Sequence, residues 1–194
     1  MKKMIDITRT IGLDTINYYQ DKKFSLIEDA SFKKGDKWNS FRLEMSNHFG
    51  THIDAPLHLF PKGKSLNDFS EFPFVLPCTV IEINNKKKIT LEEIKNIRIS
   101  KNSAVLFKTS TSKLERKIFS KKFIYIDPLA AEYLVKKKVK LVGIDYLSVD
   151  PLITDYPVHK ILLSNEIIIL EDAWLAHVSA GRDCLYCCPM NGKN

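Results

Sequence analysis

Residues 48–58 read HFGTHIDAPLH and hold three of the five histidines in the chain. His48, His52 and Asp54 are separated by even numbers of residues. Side chains on an extended segment alternate between two faces, so these three would project from one side of a strand. Imidazoles and a carboxylate this closely spaced have few structural uses other than metal binding. The stretch therefore predicts a strand that carries a metal site, rather than three ordinary surface or core histidines.

A helix is the alternative conformation for this stretch. His48 and His52 are four residues apart and would share a helical face, as in the HExxH zinc motif. Gly50 and Pro56 disfavour a helix, and the β-branched residues between them favour an extended chain. We therefore predict a strand that enters a turn at Pro56, with His58 just beyond it. Imidazole and carboxylate ligands suit Zn, Mn, Fe or Ni, and Zn is the first expectation.

The composition is that of a globular protein, and we expect one domain spanning residues 1–194. Hydrophobic residues make up 44% of the chain and charged residues 27%, which is typical of globular domains. The net charge of +7 comes mostly from lysines in short runs. These runs lack the interleaved aromatic and arginine residues of a nucleic-acid surface. We therefore expect no nucleic-acid partner and interpret the lysines as a solvated face.

The sequence predicts a cytoplasmic protein without a membrane span. No stretch approaches about 18 uninterrupted apolar residues. The N-terminus acquires Asp6 and Arg9 before any apolar core develops, which argues against a signal peptide. The cysteines are expected to be reduced and structural. They are Cys78, Cys184, Cys187 and Cys188. The late CxxC pair resembles half of a zinc knuckle, so a redox-sensitive or metal-binding tail is the alternative.

Periodicity predicts strands with interspersed helices. Six segments show either apolar-polar alternation or a short apolar run, both typical of strands. They are residues 4–8, 41–45, 79–83, 104–107, 139–144 and 167–170. Thr90 and Glu93 form a capping box that opens a short helix to about Ile97. Asp127 and Pro128 predict the start of the clearest helix, which ends in a lysine-rich turn. The pattern indicates an α/β or α+β domain.

Four residues outside the motif have open interpretations. Tyr18 and Tyr19, in the first loop, either line a substrate mouth or pack the loop onto the core. Asp145 ends a buried strand and is either catalytic or, more commonly for such an aspartate, part of a turn or cap. His177 lies outside the motif and is interpreted as a surface or packing residue.

Later residues extend the histidine motif into a family pattern. Gly143-Ile144-Asp145 and Pro157-Val158-His159 follow it, and Glu171 lies twelve residues beyond His159. Together with the motif, they resemble the metal-dependent cyclase family, which includes bacterial kynurenine formamidase and isatin hydrolase. The likeness runs from the first predicted strand to the region of Pro189. It implies an α/β fold, a single domain with a mixed β-sheet in the family's swivelling β/β/α arrangement.

The resemblance also implies roles for the site residues. His48, His52 and Asp54 would hold one metal, Asp54 and His159 would meet a second, and Glu171 would bridge both. His58 would be the catalytic acid and base, or else a further metal ligand. The implied cofactor is Zn²⁺, two ions per chain, with Mn²⁺ as the alternative. The family's assemblies imply a homodimer or homotetramer.

The chain departs from the family in its first loop. Kynurenine formamidases carry a tryptophan followed by Pro-Gly-Asp there, and the tryptophan contacts the aromatic substrate. This chain has Tyr18-Tyr19-Gln20-Asp21, where only the aspartate matches. It also ends at Asn194, where relatives usually run on, so the last pairing element or a subunit contact is expected to differ. We expect these changes to alter the choice of substrate more than the metal chemistry.

The function predicted from these residues is hydrolysis of a small amide by metal-activated water. The expected substrate is an arylformamide of the N-formylkynurenine type, with His58 moving the proton. Opening of an isatin-type cyclic amide or a lactone, or a cyclase-type dehydration, is the alternative on the same site. A third hypothesis is a protein that binds metal without catalysis. A free His58 beside an aromatic loop argues against it, because a purely structural site closes all its ligands around the ion.

Overall fold

The computed structural model describes residues 3–18, 21–69, 75–85, 87–113, 119–152 and 155–190. Within these ranges the chain forms ten β-strands and three α-helices. The strands are β1 (Ser25–Ala30), β2 (Ser40–Glu44), β3 (His52–Asp54), β4 (Val75–Glu82), β5 (Lys88–Ile89), β6 (Ala104–Lys108), β7 (Tyr125–Ile126), β8 (Leu141–Ile144), β9 (Ile168–Glu171) and β10 (Gly181–Tyr186). The helices are α1 (Leu91–Ile94), α2 (Pro128–Lys136) and α3 (Pro157–Ser164).

Six strands form the central sheet, in the order β10-β4-β6-β8-β9-β3. The four inner strands are parallel, β10 is antiparallel to β4, and β3 is antiparallel to β9. Strands β6, β8 and β9 are buried along their whole length, as expected for parallel strands covered on both faces. The predicted α/β class with a mixed sheet is confirmed, as are five of the six predicted strands, which form β2, β4, β6, β8 and β9.

Helix α2 begins where the sequence predicts. Asp127 caps it by accepting a hydrogen bond from the backbone N–H of Leu129, and Pro128 takes the first helical position. Helix α1 starts at the predicted capping box of Thr90 and Glu93, but ends at Ile94 rather than near residue 97. Helices α2 and α3 pack together and supply apolar residues to the larger core. Among the described residues, no helix is both long and apolar enough to cross a bilayer.

The predicted strand at residues 4–8 is wrong. This segment forms no strand in the described structure. Its contact with the main sheet includes an isolated hydrogen bond, from the Trp174 N–H to the Ile7 carbonyl at 2.7 Å. An alternating segment becomes a strand only where a neighbouring strand pairs with it along its length. The N-terminal segment is instead attached at separate points beside strands β9 and β3, through the Trp174–Ile7 bond and one from the Arg9 N–H to the Thr51 hydroxyl.

Strands β1 and β2 form a hairpin separate from the central sheet. Leu26 pairs with Leu43, and Glu28 pairs with Phe41, so the three apolar side chains lie on one face of the hairpin. That face is open: Leu26 is 47% exposed, Phe41 50% and Leu43 56%. The alternation that predicted β2 is therefore real, but its apolar face has no cover within the described part of this chain.

Candidate metal centre

The β3–β9 pair brings the first candidate ligands together. His52 lies opposite Glu171, and Asp54 lies opposite Ile169, across this antiparallel pair. Opposed residues project to the same face, and alternate residues of one strand share a face. His52, Asp54 and Glu171 therefore point to one side of the sheet. The prediction from even spacing is confirmed for His52 and Asp54.

The same prediction is wrong for His48. The strand begins only at His52, and His48 lies in the turn that precedes it, where Gly50 adopts a left-handed conformation with φ of +68°. Glycine adopts this conformation without the strain that a Cβ brings. The turn, rather than strand alternation, brings Nδ1 of His48 to 3.1 Å from Asp54 Oδ1.

His159 reaches the cluster from helix α3. The carboxylate of Asp150 accepts the backbone N–H groups of Val158 and His159, both at 2.9 Å, and lies 2.7 Å from Nδ1 of the His159 ring. Because a carboxylate accepts, Nδ1 carries the donated proton. The other ring nitrogen then faces the cluster, 3.6 Å from Asp54 Oδ2 and 3.4 Å from Glu171 Oε1. Asp150 thus fixes both the start of the helix and the orientation of its histidine.

His52 and Glu171 are oriented by backbone groups. Nδ1 of His52 lies 2.9 Å from the Gly50 carbonyl, so this nitrogen donates and the lone pair of Nε2 faces the cluster. Glu171 Oε1 accepts the Val149 N–H at 2.8 Å. Its Oε2 lies 3.5 Å from Nε2 of His52, which is long for a hydrogen bond. A histidine fixed through one nitrogen, with the other free, is the usual arrangement of a metal ligand.

His58 lies in a single 3₁₀ turn, Pro56–His58, directly after β3. This confirms the predicted turn at Pro56. The His58 ring centre is 4.4 Å from that of His48 and 5.8 Å from that of His159. Solvent reaches His58, whereas Asp54 and Glu171 are buried. His58 therefore closes the cluster on its open side.

The charges of the cluster favour a cation. Burial opposes ionisation of both carboxyl groups, but the neighbouring histidines outweigh it, so the pKa of Asp54 is well below its usual value and that of Glu171 is lowered. Burial also disfavours protonated His52, yet the nearby Glu171 carboxylate, towards which Nε2 points, and the charge of Asp54 raise its pKa to about 9. The pKa of His159 is raised well above its usual value, against burial, by Asp150, Asp54 and Glu171. Two buried carboxylates thus attract positive charge, which either protons or a metal can supply.

The residues present fit a divalent cation. Among the described residues, Nε2 of His52 and Oδ2 of Asp54 are buried without a hydrogen-bond partner. Leaving such a group unsatisfied costs about 1–3 kcal/mol, and coordination satisfies both atoms. Two groups of residues each offer three possible ligand atoms that lie within 4.8 Å of one another. The first group is His48, Asp54 and His58, and the second is His52, Asp54 and Glu171, so Asp54 belongs to both. Imidazole nitrogens with carboxylate oxygens suit Zn²⁺ or Mn²⁺.

The remaining predicted residues lie around this cluster. Tyr18 is half-buried and packs edge-on against Phe119, with ring centres 5.2 Å apart, which favours the packing interpretation over a free substrate contact. Tyr19 lies outside the described residues. Asp145 is fully buried and accepts hydrogen bonds from the backbone and hydroxyl groups of Thr109 and Ser112, which favours the turn-or-cap interpretation over a catalytic one. His177 is exposed against Trp174, as predicted.

Asp150 is the residue that sequence reasoning missed. Its only signal was its position in the loop after β8, at the carboxyl edge of the sheet, where functional residues of α/β folds gather. We expect Asp150→Asn to weaken metal binding by about 10–100-fold, the usual cost of losing a partner behind a ligand. Chelator competition measures this affinity. Asp155→Asn is the matched control, because Asp155 is exposed and pairs with Lys160 of helix α3 rather than with a candidate ligand. Equal affinities for the two variants would contradict the orienting role.

Comparison with known families places the chain near a group of hydrolases. A family described as "Putative cyclase" matches residues 5–151. A kynurenine formamidase of Geobacillus thermodenitrificans is 37% identical over 182 residues, covering 93% of this chain and 87% of that protein. A kynurenine formamidase of Salinibacter ruber is 33% identical over 190 residues, covering 96% and 90%.

Solved structures share the fold. A potential metal-dependent hydrolase with cyclase activity superposes with a TM-score of 0.79 at 31% identity, covering 92% of this chain and 85% of that one. A predicted metal-dependent hydrolase from Bacillus stearothermophilus gives 0.76 at 32%, with the same coverage. Isatin hydrolase A from Labrenzia aggregata gives 0.83 at 23% identity, covering 98% and 88%, a likeness of fold alone. The expected cyclase-like fold is confirmed.

Proposed function

The chain belongs to the cyclase family, and on that basis we propose that it is a metal-dependent hydrolase that cleaves an arylformamide of the N-formylkynurenine type. The enzyme acts on C–N bonds other than peptide bonds. The observation that carries the proposal is the likeness to kynurenine formamidases, 37% identical over 93% of the chain. The cluster of four histidines and two carboxylates around Asp54 supports it, because amide hydrolysis needs an activated water.

We propose that the cofactor is zinc and that two ions share Asp54. Two groups of possible ligand atoms meet at this residue, and the first contains His58. With His58 assigned to proton transfer, His159, whose Nε2 lies 3.6 Å from Asp54 Oδ2, would take its place as a ligand. The candidate ligands are His48, His52, Asp54, His159 and Glu171. A divalent cation held by these residues would lower the pKa of a water molecule and polarise the carbonyl oxygen of a substrate. The residues of the chain hold these groups at fixed positions and exclude bulk water, since the carboxylates are buried.

His58 is proposed as the group that moves the proton. Burial is the main cause of a pKa lowered below its ordinary 6.5, so the imidazole is neutral at pH 7 and accepts a proton. Returning that proton to the amide nitrogen lets the amine leave as the C–N bond breaks. The solvent-facing position of His58 in the cluster supports contact with an entering substrate.

The pKa of His58 predicts a pH dependence. A base acts only when deprotonated, so turnover rises with pH through the pKa of His58 and then levels. Because that pKa lies below 6.5, we expect kcat/KM to be constant near pH 7 and its acid limb to lie below pH 6.5. The profile is measured with metal content followed at each pH. An acid limb centred above pH 7 at constant metal content would contradict this assignment.

The substrate is tested by assaying the metal-loaded protein against N-formylkynurenine, isatin and a panel of lactones. We expect release of formate and an aromatic amine from the formamide, at rates well above those for the other compounds. Hydrolysis of isatin or a lactone without any formamide cleavage would replace the proposed substrate by the alternative. No turnover of any compound, with metal bound, would favour a binding protein.

We propose that the chain forms a homodimer through the open face of the β1–β2 hairpin. The hairpin exposes five large apolar side chains: Leu26, Phe32, Trp38, Phe41 and Leu43. Leu26, Phe41 and Leu43 lie on the open face, while Phe32 and Trp38 belong to the connection between the strands. Aromatic and large aliphatic side chains are the kind that interface centres bury. An isolated two-stranded hairpin is also marginally stable, so a second copy that covers this face would stabilise it.

The assembly is tested by light scattering coupled to size-exclusion chromatography. We expect Leu43→Lys to give monomers, and Arg42→Gln, on the opposite face of the same strand, to remain dimeric. A monomeric wild-type protein at micromolar concentration would contradict the proposal.

We also propose a cytoplasmic location, which is supported by the four cysteines, since all are free thiols and such thiols persist in reducing compartments.

A further inference from the structure

A buried polar network lies behind the metal centre. Thr51 precedes His52, and Asp172 follows Glu171. Thr51 lies in the bend before strand β3, and its hydroxyl is directed at the backbone of Asp172. Thr51 and Asp172 are therefore the direct chain neighbours of the paired ligands His52 and Glu171, but they are not candidate ligands themselves.

Arg9 of the N-terminal segment joins these two residues. Its backbone N–H donates to the Thr51 hydroxyl at 2.8 Å, and that hydroxyl donates to the Asp172 carbonyl at 2.7 Å. The Nε of Arg9 lies 3.5 Å from Asp172 Oδ1, and this carboxylate is only 1% exposed. The guanidinium also lies over the Trp174 ring, 5.7 Å from its centre. Arg9 therefore contacts the residue before strand β3 through its backbone and the residue after strand β9 through its side chain.

The backbone at Asp172 is strained. Its φ is +55°, a left-handed conformation that is strained for a residue with a Cβ and persists only where the surroundings enforce it. The enforcing contacts are the Asp172 N–H, which donates to the Tyr146 carbonyl at 2.8 Å, the Thr51 hydroxyl and the Arg9 side chain. This conformation sets the direction in which the chain leaves Glu171. The contacts that hold it therefore also hold a candidate ligand.

We propose that Arg9 is a positioning residue for the metal centre, acting through Thr51 and Asp172 rather than by touching the metal or the substrate. The inference rests on the metal-dependent function proposed above. Metal ligands must be placed to within about 0.2 Å of their preferred distances. His52 and Glu171 lie opposite each other on the paired strands β3 and β9, so the position of Glu171 also depends on the conformation of Asp172, which follows it. The Arg9 side chain acts on that residue.

The test compares zinc affinity and folding stability in side-chain variants. Zn²⁺ affinity is measured by competition with a chromophoric chelator, and stability of the metal-free protein by urea unfolding. We expect Arg9→Met to weaken Zn²⁺ binding by about 10–100-fold, and Arg9→Lys to recover part of that loss because it keeps the charge opposite Asp172. Arg42→Met, which removes the exposed Arg42–Asp29 pair of the hairpin, is the matched control and should bind Zn²⁺ like the wild type.

Thr51→Val is the second variant, in case Arg9→Met folds poorly. It keeps the side-chain volume and removes both hydroxyl hydrogen bonds, and we expect a similar loss of affinity. If the folded Arg9→Met or Thr51→Val protein binds Zn²⁺ as tightly as the wild type while its urea midpoint falls, the network is only structural and the inference is overturned. A wild-type protein that binds no Zn²⁺ or Mn²⁺ would overturn the proposed function itself, and this inference with it.

Discussion

Asp54→Asn is expected to lose bound metal and to lower kcat/KM by about 10²–10³-fold or more, because an ion in such a site supplies several kcal/mol of transition-state stabilisation. Asp54 lies within 3.1–3.8 Å of His48, His52 and His159. It belongs to both groups of possible ligand atoms. Asparagine keeps the shape of the side chain but removes its charge, so any loss follows from the chemistry of the carboxylate rather than from a cavity.

Metal content per chain, by mass spectrometry of the dialysed protein, measures this effect directly. Asp29→Asn is the control, because Asp29 is an exposed carboxylate that pairs with Arg42 on the hairpin. It should keep wild-type metal content and turnover. An Asp54→Asn protein that binds metal as the wild type does would remove Asp54 from the centre of the site.

His58→Ala is expected to keep its metal and lose about 10²–10⁴-fold in turnover, the range that a general acid–base group contributes. The proximity of His58 to His48 and Asp54 also permits a ligand role, and the two roles give different results. A ligand's removal releases metal, whereas a proton carrier's removal leaves metal in place and abolishes the acid limb of the pH profile.

His52→Ala and His177→Ala are the two controls for the His58 experiment, one expected to lose metal and one expected to be unaffected. His52 is buried within the cluster, and its loss should release metal. His177 is exposed against Trp174, and its loss should change neither metal content nor turnover. If His58→Ala loses metal as readily as His52→Ala, the proton-carrying role is wrong and His58 is a ligand.

The sequence was sufficient for the parts of the site that are local in the chain. The alternation of His52 and Asp54 follows from strand geometry alone, and the turn at Pro56 follows from the chemistry of proline. His48 was assigned to the cluster correctly but for the wrong reason, since a glycine turn and not a strand brings it to Asp54. Periodicity does not describe a turn, because each of its residues has its own backbone conformation.

Long-range parts of the site were not accessible to the same reasoning. Asp150 contacts His159 of helix α3 from the loop before that helix, and Arg9 contacts Asp172 across most of the chain. No rule of residue spacing predicts either contact. His159 and Glu171 entered the site only through the resemblance to a family. Helix α3 went unassigned because its signals, a proline at the first position and buried residues one turn apart, are short and also suit a loop.

The exposed β1–β2 hairpin shows a different limit of prediction from sequence patterns. The alternation at residues 41–45 correctly predicted strand β2, yet an apolar stripe does not specify which molecule covers it. Similarly, the alternation at residues 4–8 predicted a strand that the described structure does not form, because no strand among the described residues pairs with this segment along its length. Local patterns give the preference of a segment, and tertiary contacts decide whether it is realised.

The central claim is that divalent cations bind at Asp54 between histidines from three separate segments. Anomalous diffraction from crystals grown with Zn²⁺ or Mn²⁺, recorded above and below the absorption edge of the metal, tests it most directly. We expect one or two anomalous peaks coordinated by Asp54, with His52 and Glu171 among the ligands of at least one. Crystals that contain the metal but show no peak at Asp54, or show Glu171 turned away from it, would contradict the account.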